Sequence, residues 1–171
     1  MTKILLVDDS KFLRMATERA LLHGGYEVTT AGDGMKAIES AQKEQPDLIL
    51  LDMLLPGMTG LDVLKALKKD PLTKGIAVVA FTGLSQKNSD RLKKDGAIAF
   101  LDKADLGLEK GSENLLTALA EIVRKLGKEV PTGARRLVLG REPETSITGE
   151  SRLWSRDVST APRPPSRLPS T

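Results

Sequence analysis

The stretch Leu48-Ile49-Leu50-Leu51-Asp52-Met53-Leu54-Leu55-Pro56-Gly57-Met58-Thr59-Gly60 decides the fold. Its first four residues are unbroken apolar. That pattern suits a strand buried on both faces, because a solvated face would require alternating polar residues. The run stops at a carboxylate, Asp52. Beyond the connecting segment, Leu61, Leu64 and Leu67 recur at helical spacing until Asp70-Pro71, where the residue before proline is driven out of the helical region. A buried strand, an acid at its carboxyl end and an amphipathic helix together make one βα unit.

The same unit recurs on either side. Ile4–Val7 and Ile76–Phe81 are further continuous apolar runs, and Ala97–Leu101 is built from small and apolar residues. Tyr26–Ala31 is interrupted by Glu27, Thr29 and Thr30, which predicts a less buried edge strand. Between these runs, residues 11–23 place Phe12, Ala16 and Ala20 at four-residue spacing, with Ser10 as N-cap and Gly24-Gly25 as the stop. Residues 35–44 align Ala37, Ile38 and Ala41, and residues 112–126 carry Leu115, Leu119, Ile122 and Leu126. Residues 85–95 are mostly polar, with Leu92 nearly alone, so a lightly anchored helix is expected there. Five βα units in succession predict an α/β fold, a doubly wound five-stranded parallel sheet with five helices on its two faces. Ligands of such sheets bind beyond the carboxyl ends of the strands.

Composition narrows the chemistry. The chain has 171 residues and no cysteine, which excludes disulfides, thiolate metal sites and cysteine nucleophiles. A single histidine, His23, excludes a multi-histidine metal centre. The amino-terminal MTKILLVDDS is too short in apolar residues for a signal peptide or membrane span, so a cytoplasmic protein is expected. Residues 1–126 carry 18 Lys and Arg against 18 Asp and Glu, so the formal charge of +3 resides in residues 127–171. A neutral globular part argues against broad nucleic-acid binding. Residues 127–171 hold six of the nine prolines with many Ser, Thr and Arg and no sustained helical period, and a disordered tail is expected from this composition. The domain is accordingly read as residues 1–126.

The chemistry-bearing residues fall at the predicted carboxyl ends of strands. The first strand ends in Asp8-Asp9, the third in Asp52, the fourth in Thr82-Gly83, and the fifth near Lys103. Three converging carboxylates raise one another's pKa unless a cation joins them. A hard divalent ion with oxygen ligands, such as Mg²⁺, is the natural partner. Each residue alone has an ordinary reading: Asp9 or Ser10 as a helix cap, Thr82 as a β-branched strand residue, Lys103 as a solvated lysine. Their joint placement at strand ends outweighs these. His23 has no partner in the sequence and reads as a helix-end surface residue.

In these residues the chain resembles the receiver domain of bacterial response regulators, over residues 1–126. The resemblance rests on the Asp8-Asp9 pair, on Asp52 within Leu50–Gly60, on Thr82-Gly83, and on Phe100-Leu101-Asp102-Lys103. It implies a flavodoxin-like strand order of 2-1-3-4-5. It further implies that Asp52 is the phosphorylated residue, taking a phosphoryl group from a histidine kinase, a histidine phosphotransfer protein or a small donor. Asp9 and Asp52 would ligate Mg²⁺ with the Leu54 backbone carbonyl, and Asp8 would act through water. Thr82, Gly83 and Lys103 would surround the phosphoryl oxygens, with Thr82 and Phe100 as switch residues. Output would run through a downstream target protein, or a homodimer, at the fourth helix, fifth strand and fifth helix.

The chain also departs from the family. Ala104 follows Lys103 where the family usually has proline, and a cis bond before alanine costs roughly 2.5–4 kcal/mol, against about 0.5–1 before proline. A strained cis bond or another loop path is therefore expected, and the loop 104–111 reads as longer than usual. Leu54 and Leu84 stand two residues beyond Asp52 and Thr82, where the resemblance places the path of the hydrolytic water. Neither side chain can hold a water, so slow loss of the phosphoryl group is expected. No effector-like segment follows residue 126, which predicts a stand-alone receiver. The rival readings are an unphosphorylated pseudo-receiver and an aspartyl-phosphate enzyme. A haloacid-dehalogenase-type enzyme needs a second aspartate two residues after the nucleophile, and here that position is Leu54.

Overall fold

Alternation along the buried strands sorts the core into two layers. Leu5, Val7, Ile49, Leu51, Val78 and Ala80 face one side of the sheet, and Ile4, Leu6, Leu48, Leu50, Val79 and Phe81 face the other. The computed structural model describes residues 1–83, 88–104 and 112–139. In chain order the elements are β1 (Lys3–Val7), α1 (Lys11–His23), β2 (Glu27–Ala31), α2 (Gly34–Glu44), β3 (Leu48–Leu51), α3 (Gly60–Lys69), β4 (Ala77–Thr82), α4 (Ser89–Lys94), β5 (Ala99–Asp102), α5 (Glu113–Lys125) and α6 (Thr132–Leu139). The strands form one parallel sheet in the order β2-β1-β3-β4-β5. This is the doubly wound arrangement expected, with β2 on an edge and only partly buried.

Helices α2, α3 and α4 cover the first face, and α1, α5 and α6 the second. Leu64, Leu67, Leu115 and Leu119 from the expected stripes are fully buried. Leu92 is the buried residue of α4, as its polar sequence foretold. Ser10 caps α1, its hydroxyl accepting from the Leu13 N–H at 3.4 Å. The apolar stripe assigned to α1 is corrected. Phe12 is 79% exposed, and the helix buries Thr17, Ala20 and Leu21 instead. These positions follow the i, i+3, i+4 pattern of a helix face, which the polar Thr17 obscured.

The expectation of five helices followed by a tail without helix is corrected as well, because α6 is a sixth helix. Val130, Ala134 and Leu137 pack on the α1–α5 layer, Ala134 being fully buried. The segment is also tied by polar bonds. The Ala134 N–H donates to the Gly24 carbonyl at 2.9 Å, the Thr2 hydroxyl donates to the Glu129 carbonyl, and Lys128 pairs with Asp47 at 3.1 Å. Gly25 has a φ of +90°, and a Cβ there would lie 2.8 Å from the Pro131 ring, so both backbone conformation and space require glycine. Residues Met1–Val138 form one compact unit. The expected disorder of residues 140–171, the length of the loop 104–111 and the position of Leu84 lie outside the described residues.

Candidate functional site

Parallel strands deliver their last residues to one edge, and β1 and β3 are neighbours in the sheet. Asp8, Asp9 and Asp52 therefore converge. One carboxylate oxygen from each lies within 4.8 Å of the others. Asp8 and Asp52 are buried, at 1% and 5% exposure, while Asp9 is exposed. A burial of this kind is costly for ionised carboxylates unless bonds and cations satisfy them.

Several groups do so. Asp52 Oδ1 accepts the Leu54 N–H at 2.9 Å, and Asp8 Oδ1 accepts the Ser10 N–H at 2.9 Å. Lys103 Nζ then bridges the remaining oxygens, at 2.6 Å from Asp8 Oδ2 and 2.9 Å from Asp52 Oδ2. Its side chain is 15% exposed, and its ammonium lies 5.2 Å from the centroid of the Phe81 ring. Burial works against the lysine charge. Hydrogen bonds to Asp8 and Asp52, with their charges, outweigh burial and hold the ammonium above the usual lysine range.

The remaining expected residues sit around this centre. Thr82, fully buried, closes β4, and its carbonyl accepts the Lys103 N–H at 3.1 Å. A methyl built on Gly83 would meet no atom of the other described residues within 4 Å, which leaves space there on their side. Phe100 is half-buried against the α2–α4 side of the core. Leu54 is 57% exposed beside Asp52. No peptide among the described residues is cis, so the Lys103–Ala104 bond is trans and the strained cis alternative is not adopted.

Gly60 closes the stretch around Asp52 quoted from the sequence, but the sequence reading gave it no role of its own. A Cβ on Gly60 would lie 2.4 Å from both the Asp52 carbonyl oxygen and Met53 Cα. Only glycine lets the start of α3 press against the loop that carries Asp52, and the Gly60 N–H donates to the Met53 carbonyl at 3.2 Å. The available signal was a glycine directly after the helix-capping Thr59, whose hydroxyl accepts from the Asp62 N–H. The three clustered acids suit a hard cation: their donors are all oxygen and they meet at one point.

Residues 4–108 match the family model of the response regulator receiver domain. The chain belongs to that family, the receiver domains of two-component systems, which are signalling modules rather than conventional enzymes. It is 39% identical to the response regulator PleD of Caulobacter vibrioides over 115 residues, 67% of this chain and 22% of PleD. It is 35% identical to the polar-differentiation response regulator DivK of Brucella ovis over 60% of this chain and 85% of DivK. The chain thus spans about a fifth of PleD but most of DivK. Among solved structures, chemotaxis response regulator CheY4 of Vibrio cholerae matches with a TM-score of 0.64 and 34% identity, covering 71% of this chain and 98% of CheY4. The receiver domain of the sensor histidine kinase PA1611 of Pseudomonas aeruginosa matches at 0.61 and 25%, covering 74% and 98%. That structure has a magnesium ion coordinated in its active-site cleft. No helix among the described residues is long and apolar enough to cross a membrane.

Proposed function

We propose that the chain is a phosphoacceptor module that receives a phosphoryl group on Asp52 from a sensor histidine kinase or a histidine phosphotransfer protein. The observation that carries this reading is the Lys103 ammonium held between Asp8 and Asp52 at the meeting point of three carboxylates. A lone structural ion pair needs one acid; this arrangement holds two more negative charges than one lysine neutralises. Mg²⁺ is the cofactor that the donor set fits, held by Asp9, Asp52 and the Leu54 carbonyl, with Asp8 acting through water. When bound it supplies the charge neutralisation that phosphoryl transfer requires.

The protein's own groups do the rest. An Asp52 carboxylate oxygen attacks phosphorus. A new O–P bond forms, the bond from phosphorus to the donor's nitrogen or oxygen breaks, and the electron pair leaves with the donor. The Leu54 N–H orients that carboxylate. Lys103 turns one of its N–H groups to a phosphoryl oxygen, acting as a compact charge on a rotatable stem. The Thr82 hydroxyl donates to another oxygen, and the open space at Gly83 admits the group. Thr82 then moves inward, Phe100 follows, and the surface formed by α4, β5 and α5 changes its fit to a downstream target or to a second copy. The shallow anchoring of α4 supports this, since few apolar contacts resist its displacement. A cytoplasmic setting completes the reading.

Incubation with acetyl phosphate and Mg²⁺, read by intact-mass spectrometry, tests it. A phosphoryl adduct is expected that is absent in Asp52→Ala. No adduct in the wild type, from either acetyl phosphate or phosphohistidine donors, would mark a pseudo-receiver. Turnover of an unrelated phosphoester would mark an enzyme.

A further inference from the structure

We infer that Arg14 is a positioning residue for the metal site: it locks the Asp8–Asp9 peptide in place, so that the exposed Asp9 carboxylate is aimed by backbone rather than by side-chain partners. The inference rests on the phosphoacceptor reading above and assigns a role to a residue outside the acid cluster.

The geometry is specific. Arg14 Nη1 donates to the Asp8 carbonyl oxygen at 2.7 Å. That carbonyl belongs to the planar peptide unit whose nitrogen is that of Asp9, so holding the oxygen fixes the plane from which Asp9 departs. The other side of Asp8 is held independently. Its N–H donates to the Ala31 carbonyl at 3.2 Å, and its side chain is held by Ser10 N–H and Lys103. Asp9, exposed beyond the last residue of β1, has no comparable side-chain clamp among the described residues. The Arg14 bond therefore supplies the restraint on the one acid that burial does not restrain.

Gly32 makes room for the clamp. A Cβ on Gly32 would lie 3.1 Å from Arg14 Nη1, 3.6 Å from Cζ and 3.8 Å from Nη2. The guanidinium thus rests flat against the β2–α2 connection while it reaches the β1–α1 connection. A planar group with several donors suits this bridging position, whereas a lysine supplies only a point charge. Residues that orient metal ligands from outside the coordination sphere typically change metal affinity by about 10–100-fold when removed.

The test uses the full chain and two separate readouts. Titration calorimetry with Mg²⁺ gives affinity without any transfer reaction, and adduct formation from acetyl phosphate gives the rate across Mg²⁺ concentrations. Arg14→Ala is expected to weaken Mg²⁺ binding about tenfold. The Mg²⁺ midpoint of adduct formation should move by the same factor, with a far smaller change in rate at saturating Mg²⁺. Arg14→Lys should recover part of the affinity, and Arg14→Met, which keeps the stem but no donor, should lose as much as Arg14→Ala. Circular-dichroism melting of each metal-free variant separates the effect from unfolding; should Arg14→Ala not fold, Arg14→Met decides. A wild-type Mg²⁺ affinity in the deciding variant overturns the inference, as does a fall in saturated rate with the midpoint in place. Failure of the wild type itself to bind Mg²⁺ or form the adduct would instead overturn the phosphoacceptor reading.

Discussion

The two ends of the sheet are built on opposite principles. At the carboxyl ends of the strands, Asp8, Asp52 and Lys103 satisfy one another by charge, and the neighbouring loops are shaped by hydrogen bonds to those same carboxylates. At the amino ends, Val130, Ala134 and Leu137 close the molecule by apolar burial, fastened by a backbone bond to Gly24 and by the Thr2 hydroxyl. One end keeps buried charge that a cation or phosphoryl group can rearrange. The other is closed mainly by apolar contacts, which have little to rearrange. The contrast shows how a small domain keeps a polar, responsive site without loosening its core: stability is concentrated away from the chemistry.

The contrast can be broken first at the apolar end. A chain ending after Leu126 is expected to be about 3–5 kcal/mol less stable to urea than one ending after Leu139, because the packed faces of Val130, Ala134 and Leu137 are lost. Below its melting temperature the shorter chain should still form the acetyl-phosphate adduct. Equal stability would show that the docked segment contributes nothing, and lost adduct in a folded chain would show that the two ends are coupled.

At the charged end, Lys103→Met is expected to lower metal-free stability by about 2–3 kcal/mol at neutral pH, since it strands two buried carboxylates. The lysine's pKa is raised in the folded state, so its contribution is complete below the unfolded lysine value near 10.5. It is lost as pH rises through the higher folded value. The gap between wild type and variant, followed by urea titration, should therefore narrow only in strong alkali. A gap that closes near neutrality would contradict the pairing.

Tyr26 sharpens the apolar side of the comparison. Its buried hydroxyl has no hydrogen-bond partner among the described residues, and burial pushes its pKa up to about 12. Tyr26→Phe should stabilise the protein by about 1 kcal/mol, because it removes an unsatisfied polar atom. The wild type holds the phenol proton when folded and releases it near pH 10 when unfolded. It should thus lose stability progressively from pH 10 towards 12, and the variant should lose less over the same range. The smallest effect belongs to the site's rim. Leu54→Asn gives the exposed position beside Asp52 a group that can hold a water, and is expected to speed aspartyl-phosphate decay about threefold, less than 1 kcal/mol of barrier. Decay no faster than wild type would remove the role given to Leu54.

Much of this was legible because parallel sheets write themselves plainly. Ile4–Val7 and Leu48–Leu51 read as unbroken apolar runs, and each is followed by the acid that its βα connection presents. The stripes of α2, α3 and α5 were equally readable. Helix α1 misled because its buried face includes Thr17 while Phe12, the most conspicuous apolar residue, stands in solvent. Helix α6 was hidden by Arg135 and Arg136 on an eight-residue segment, which is too short to be helical on its own and takes its order from the surface beneath. The spacing of Ala134 and Leu137 after Pro131 was the one faint signal. Arg14 carried no pattern and Gly60 only its place after the capping Thr59, since their value lies in what approaches them.

The sequence by itself determined the βα rhythm, the doubly wound sheet and the set of acids, hydroxyl and lysine at its strand ends. These follow from burial and periodicity, which are local properties of a chain. Only the tertiary structure decided that Lys103 bridges Asp8 and Asp52, that Arg14 and Gly60 frame their loops, and that residues 130–137 join the core. Lys103 and residues 130–137 meet segments distant in sequence, and the Arg14 and Gly60 contacts join connections whose course no periodicity dictates; all of them exist only once hydrophobic burial has brought the segments together.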